Sequence, residues 1–324
     1  MRKLLLIGLA ALLVLPASGF WYYSDSDIPR ATLEAKYAGE PSRFIMLPDG
    51  ARGHVRDRGP RDAQALVLIH GSNASLFTWE PCAKRLGDTF RIITVDLPAH
   101  GLTGAVPNRD YSEEGMVKFV GEVTDALGLQ RFAIGGNSMG GRVAARFAEQ
   151  HADRLTHLIL VDASGFPDNG ENRTSLALRI AGMPIVNRVL LHITPRSLVV
   201  DGINDAIVHK DIITEEMIDR YWDFIRMEGT RDASIARFNT RGNSDVRDHI
   251  RDIKAPTLIL WGQEDRVIRV DAAHKYHASI AGSKLIIYLG TGHVPQEEVA
   301  DESSRDVRTF LTENSGGAYD ARRH

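Results

Sequence analysis

Between residues 65 and 161, short runs that are apolar almost throughout alternate with longer runs of helical periodicity, and this alternation constrains the fold more than anything else in the chain. Ala65 to Ile69, Arg91 to Val95, Phe132 to Ile134 and Leu155 to Val161 read as strands, while the stretches near 75–87, 112–127 and 139–150 carry apolar residues three and four apart and read as helices. Leu66-Val67-Leu68-Ile69 has no polar alternate position. Such a strand must be covered on both faces, which predicts a mainly parallel sheet flanked on each side by helices. The pattern resumes with a strand from Thr257 to Trp261, a helix over 271–279, a strand from Lys284 to Leu289 and a closing helix over 299–313. A leading hairpin, Arg43 to Leu47 and Gly53 to Arg56 around Pro48-Asp49-Gly50, brings the expected strands to eight. From 166 to 250 the alternation stops and helical periodicity is broken at Pro167, Pro184 and Pro195, so this segment reads as an insertion between the sixth and seventh strands. Residues 316–324 read as a flexible polar tail.

The 324 residues, 43% hydrophobic and 25% charged, suffice for a sizeable buried core. A net charge of −3 supplies no broad basic surface, so nucleic acid is not an expected partner. The single cysteine, Cys82, excludes an intrachain disulfide and cysteine-based zinc sites, and reads as a packing residue. At the N-terminus, Arg2 and Lys3 precede an uncharged run from Leu4 to Tyr23, with Asp25 and Asp27 beyond it. Residues 1–23 therefore read as a signal anchor, or as a signal peptide cleaved near Ala17-Ser18-Gly19. Either places the body of the protein on the non-cytoplasmic side, periplasmic in a bacterium, membrane-anchored or secreted.

Gly136-Asn137-Ser138-Met139-Gly140 falls where the strand at 132–134 gives way to the helix at 139–150. A G-x-S-x-G pentapeptide at a strand-to-helix junction puts its serine on a sharp turn, with the positive end of the helix beside it. Serine alone is a weak nucleophile and needs a base, which in turn needs an acid to orient it. On this kind of sheet the partners follow in the order serine, acid, histidine at the carboxyl ends of later strands. The strand ending at Trp261 leads into Gly262-Gln263-Glu264-Asp265, which makes Asp265 the candidate acid, with Asp162 after the strand ending at Val161 as the alternative. Of the histidines beyond Asp265, His324 lies in the tail, and His274 and His277 fall on a helix and read as surface residues. His293, after Gly290-Thr291-Gly292, is left as the base. Two backbone amides are expected to hold the oxyanion, those of Met139 and of Ser72 in His70-Gly71-Ser72-Asn73. This chemistry calls for no metal or organic cofactor.

These motifs, together with Val95-Asp96-Leu97-Pro98-Ala99-His100-Gly101, resemble the α/β-hydrolase superfamily over 42–165 and again over 250–315. The resemblance implies the α/β-hydrolase fold, with 166–250 as a helical cap domain roofing the site. Serine at 138 sets the chain apart from epoxide hydrolases and haloalkane dehalogenases, which attack with a carboxylate. The GNSMGG sequence is shared with carbon–carbon bond hydrolases of ring-cleavage products and with membrane-anchored monoacylglycerol lipase-like esterases. Val294 stands where the former typically carry tryptophan, and Asn73-Ala74-Ser75 where they carry a glycine- and proline-rich loop. The expected activity is therefore that of a serine carboxylesterase or lipase acting on a small-molecule ester or lipid. The aliphatic stretch over 176–186 suggests an apolar acyl pocket. The alternatives are a carbon–carbon bond hydrolase and a hydrolase-fold binding protein with little turnover.

Overall fold

A computed structural model describes residues 26–166, 194–240 and 249–313. These residues build an eight-stranded sheet in the order β1-β2-β4-β3-β5-β6-β7-β8. The strands are Ser42–Met46 (β1), Arg52–Arg58 (β2), Ala65–Ile69 (β3), Arg91–Val95 (β4), Phe132–Asn137 (β5), Leu155–Val161 (β6), Thr257–Gly262 (β7) and Lys284–Tyr288 (β8). β1 and β2 form the antiparallel hairpin, β2 joins β4 antiparallel, and every other pairing is parallel. The sheet runs outward in both directions from β3, so the carboxyl ends of β3, β5, β6, β7 and β8 share one rim.

Alternate residues of each central strand serve different layers, which is why those strands are apolar almost throughout. Val67, Ile69, Ile93, Val95, Ile134, Leu158, Leu160, Ile259 and Trp261 face a core completed by residues of the helices Glu113–Ala126, Met139–Gln150 and Asp271–Ser279. Leu66, Leu68, Ile92, Ala133, Ile159, Val161, Leu258 and Leu260 face the opposite core, closed by Glu80–Leu86 and Ala300–Glu313. Each fully buried aliphatic side chain contributes about 1.5–3 kcal/mol by leaving water. Cys82 is buried in the second core.

Between β6 and β7 the described residues form the helices Arg196–Ala206, Glu215–Ile225 and Thr230–Asn239; the first two share an apolar cluster around Val199, Ile203, Met217 and Ile218, joined by Val294, while Ala233 of the third packs into the core of the sheet. The aliphatic stretch 176–186 lies outside the described residues.

Ahead of β1 lies the helix Arg30–Tyr37, which buries only Leu33 and is held by partners distant in sequence. Ile28 bridges Met227, Asp27 pairs with Arg231 at 2.6 Å, and Lys36 and Tyr37 both donate to Asp223 at 2.8 Å. One expectation is corrected, the membrane-anchored or secreted location. Among the described residues no helix is long and apolar enough to cross a membrane, so that placement is not retained. Residues 1–23, on which it rested, lie outside the described residues, as does the tail at 316–324.

Candidate active site

Ser138 stands between β5 and the helix Met139–Gln150 with φ 54° and ψ −119°, in the left-handed half of conformational space that a residue with a Cβ rarely occupies. Its main chain is tied down on both sides: its amide donates to Val161 O at 3.0 Å, and its carbonyl accepts from the Ser164 amide at 3.0 Å. The turn is so tight that a Cβ on Gly136 would lie 2.2 Å from Gly140 O. Ser138 caps the helix without a side-chain capping bond, which leaves its hydroxyl uncommitted to the helix.

Asp265 and His293 come from the loops after β7 and β8. Asp265 Oδ2 accepts from His293 Nδ1 at 2.7 Å. Its other oxygen accepts the amides of Val267 and Ile268 at 2.7 and 3.0 Å, so the carboxylate is fixed at both ends. A proton on Nδ1 facing a carboxylate leaves Nε2 as the basic nitrogen. The His293 loop is gripped from three directions. Its amide donates to Ala206 O at 2.8 Å, and its carbonyl accepts from Asn137 Nδ2 at 2.9 Å. Glu298 Oε1 takes the neighbouring Gly292 amide at 2.9 Å, while Oε2 takes the Val208 and His209 amides of the insertion at 2.7 and 2.9 Å.

Asp162, the alternative acid, occupies the end of β6 with φ 43° and is wholly buried. Its Oδ1 accepts the Gly262 amide at 3.0 Å, while Oδ2 has no hydrogen-bond partner among the described residues. Ligand-type atoms of Asp162, Asp265 and His293 lie within 4.8 Å of one another. Burial, reinforced by the Asp265 charge, holds the Asp162 carboxyl well above the usual carboxylate range. Burial thus favours the protonated form of Asp162. A cation bound by this trio would have to compete with the hydrogen bond that already joins His293 to Asp265.

Ser72 and Met139 lie on either side of the serine. A Cβ on Gly71 would sit 3.1 Å from Ser138 Cβ, which places the loop after β3 directly against the Ser138 turn. His70 anchors that loop, accepting the Leu97 amide on Nε2 at 3.0 Å and donating from Nδ1 to Gly71 O at 2.7 Å. Burial pushes its pKa down, partly offset by Asp96, so the ring is neutral, as this pattern of one acceptor and one donor requires. His274 and His277 are exposed, as expected of surface residues.

The sequence profile of the "Alpha/beta hydrolase family" matches residues 66–305. The chain belongs to the alpha/beta hydrolase family. Within it, a 2-hydroxy-6-oxononadienedioate/2-hydroxy-6-oxononatrienedioate hydrolase of Klebsiella pneumoniae subsp. pneumoniae is 27% identical over 284 residues, covering 83% of this chain and 95% of that protein. Among solved structures, a membrane phospholipase A described as a bacterial virulence factor superposes with a TM-score of 0.72 at 23% identity, covering 97% of each chain. A meta-cleavage product hydrolase from Pseudomonas fluorescens IP01 gives 0.71 at 23% identity, covering 84% of this chain and 97% of that one. At these identities the structural likeness establishes the alpha/beta hydrolase fold.

Three residues of the site went unnoticed in the sequence. Asn137 and Glu298 hold the His293 loop, and Arg237 reaches the loop after β3. Asn137 sits inside the pentapeptide, and its place beside Ser138 is the one local signal among the three.

Proposed function

We propose that this alpha/beta hydrolase cleaves carboxylic esters through an acyl-enzyme on Ser138, with His293 as general base and acid and Asp265 orienting it. The observation that carries the reading is the 2.7 Å His293–Asp265 bond on a loop that Asn137 ties to the Ser138 turn. In the first half-reaction Ser138 Oγ attacks the ester carbonyl as its proton passes to His293 Nε2. The charge on the carbonyl oxygen is met by the amides of Ser72 and Met139. His293 then protonates the departing alcohol oxygen as the acyl–oxygen bond breaks. In the second half-reaction water loses a proton to His293, attacks the acyl-enzyme and releases the acid, and the proton returns to Ser138. Asp162 takes no part in these proton transfers.

Residues 42–165 and 251–315 are assigned as the catalytic core and 166–250 as the cap. The acyl side is proposed to be apolar on the strength of the aliphatic sequence at 176–186. Labelling with a fluorophosphonate tests the nucleophile: adduct on Ser138, absent in Ser138→Ala, is expected, and no adduct on folded wild-type protein sinks the reading and favours a binding protein. A series of p-nitrophenyl esters from acetate to palmitate then tests the acyl preference.

A second reading, carbon–carbon bond hydrolysis, is favoured by the Klebsiella relative, whose name gives that class of substrate. Turnover of a dienone diacid with no turnover of esters would select it.

A further inference from the structure

Arg237 lies on the inserted helix Thr230–Asn239, and its residue surface is only 2% exposed. One guanidinium nitrogen, Nη2, donates to Ser72 Oγ at 3.0 Å and lies 3.5 Å from Asn73 Oδ1; the other, Nη1, lies 3.4 Å from Met139 Sδ. The same fork thus spans both residues whose amides are assigned to the oxyanion, one after β3 and one after Ser138. Its Cζ also lies over the Phe238 ring, 4.4 Å from the centroid, a cation–π contact on the same helix. A guanidinium keeps its charge at every working pH, and in a site this enclosed that charge is weakly screened. Its field reaches the loop: after burial and the opposing effects of Asp96 and the Gly71 carbonyl, Arg237 is among the causes that lower the pKa of His70.

We propose that Arg237 is a positioning residue by which the insertion completes the oxyanion site: it fixes Ser72 and Met139 in their places and adds a permanent positive charge beside them. This rests on the ester-hydrolase reading above. The consequence is that acyl transfer requires the helix Thr230–Asn239 to be seated. Negative charge appears on the carbonyl oxygen only as the tetrahedral species forms, so a charge placed here favours the transition state over bound neutral ester and acts on kcat rather than on KM.

The test uses the full chain with Arg237→Gln and Arg237→Lys, measured with p-nitrophenyl butyrate. Arg237→Gln is expected to lower kcat about tenfold to a hundredfold with KM within about threefold, somewhat less than the loss of an oxyanion donor itself. Arg237→Lys, which keeps the charge but not the fork, is expected to recover part of that loss. The rate of fluorophosphonate labelling at Ser138 should fall in the same order, and the pH profile of kcat should keep its shape because arginine does not titrate. Wild-type kcat and labelling rate in folded Arg237→Gln would overturn the proposal while leaving the serine mechanism intact. So would Arg237→Lys no better than Arg237→Gln, which would mark a purely structural contact. Absence of labelling on wild-type protein would instead remove the mechanism beneath it. If Arg237→Gln does not fold, Ser72→Ala takes its place: it removes the acceptor of the guanidinium but keeps the amide, and a loss of kcat at constant KM supports the proposal, whereas an unchanged kcat overturns it.

Discussion

The side-chain amide of Asn137 donates to the main-chain carbonyl of His293 at 2.9 Å, across 156 positions of sequence, and the same nitrogen donates to Val161 O at 3.2 Å. One buried group therefore sets the spacing between the serine turn, the end of β6 and the histidine loop. Asn137→Asp keeps the shape but turns two donors toward the carbonyls into acceptors. It is expected to cost about 2–3 kcal/mol of stability and at least tenfold in kcat, read by urea unfolding and ester turnover. Wild-type values in both would show that the histidine loop is held without it.

Asp162 and Asp265 form a buried carboxyl pair with unequal tasks, and substitution separates them. Asp265→Asn, which sets the wrong imidazole tautomer, is expected to lower kcat about a thousandfold or more. Asp162→Asn keeps an uncharged group of the same shape and is expected to stay within about threefold of wild type. The reverse order of effects would assign the acid to Asp162.

Burial raises the Glu297 carboxyl from its ordinary 4.5 to about 7, against the opposing Thr78 hydrogen bond and the Arg220 charge. The folded state holds this proton more tightly than the unfolded chain does. The stability it contributes is thus complete below about pH 4.5, is lost as pH rises towards 7, and is gone above that. Glu297→Gln abolishes this loss, so the urea midpoint of the variant should gain on wild type between those pH values. Parallel pH dependence of the two proteins would refute it.

Two glycines predict opposite outcomes for the same substitution. A Cβ on Gly262 would lie 1.8 Å from Gly292 O, on the backbone of the histidine loop. Gly262→Ala is expected to cost more than about 3 kcal/mol and to abolish activity, because backbone must move. Gly202 lies within the helix Arg196–Ala206 with nothing within 4 Å of the added atom. There alanine is expected to stabilise by about 0.5–1 kcal/mol, measured by thermal unfolding.

The strands and the helices on the sheet were legible because burial on both faces writes itself into consecutive residues. Met139–Gln150 and Asp271–Ser279 end where their periodicity ends. That the loops carrying Asp265 and His293 meet was legible because strand order fixes where a loop emerges. Arg30–Tyr37 was not legible, since a helix that buries one leucine has almost no apolar period. Glu298 and Arg237 were hidden for a different reason: Glu298 joins Gly292 to Val208, 90 positions from it, Arg237 reaches Ser72 across 165, and a lone charged residue on a helix looks the same whether it meets water or a loop. The raised Asp162 carboxyl depends on burial and on the nearness of Asp265, which no spacing in the sequence encodes.

The stitching of Asp27, Ile28, Lys36 and Tyr37 to the inserted helices bears on how the molecule can be shortened. A chain cut to begin at β1 keeps every strand, yet it loses the contacts these residues make to Asp223, Met227 and Arg231. What such trimming slackens is the insertion, while the eight-stranded scaffold stays whole.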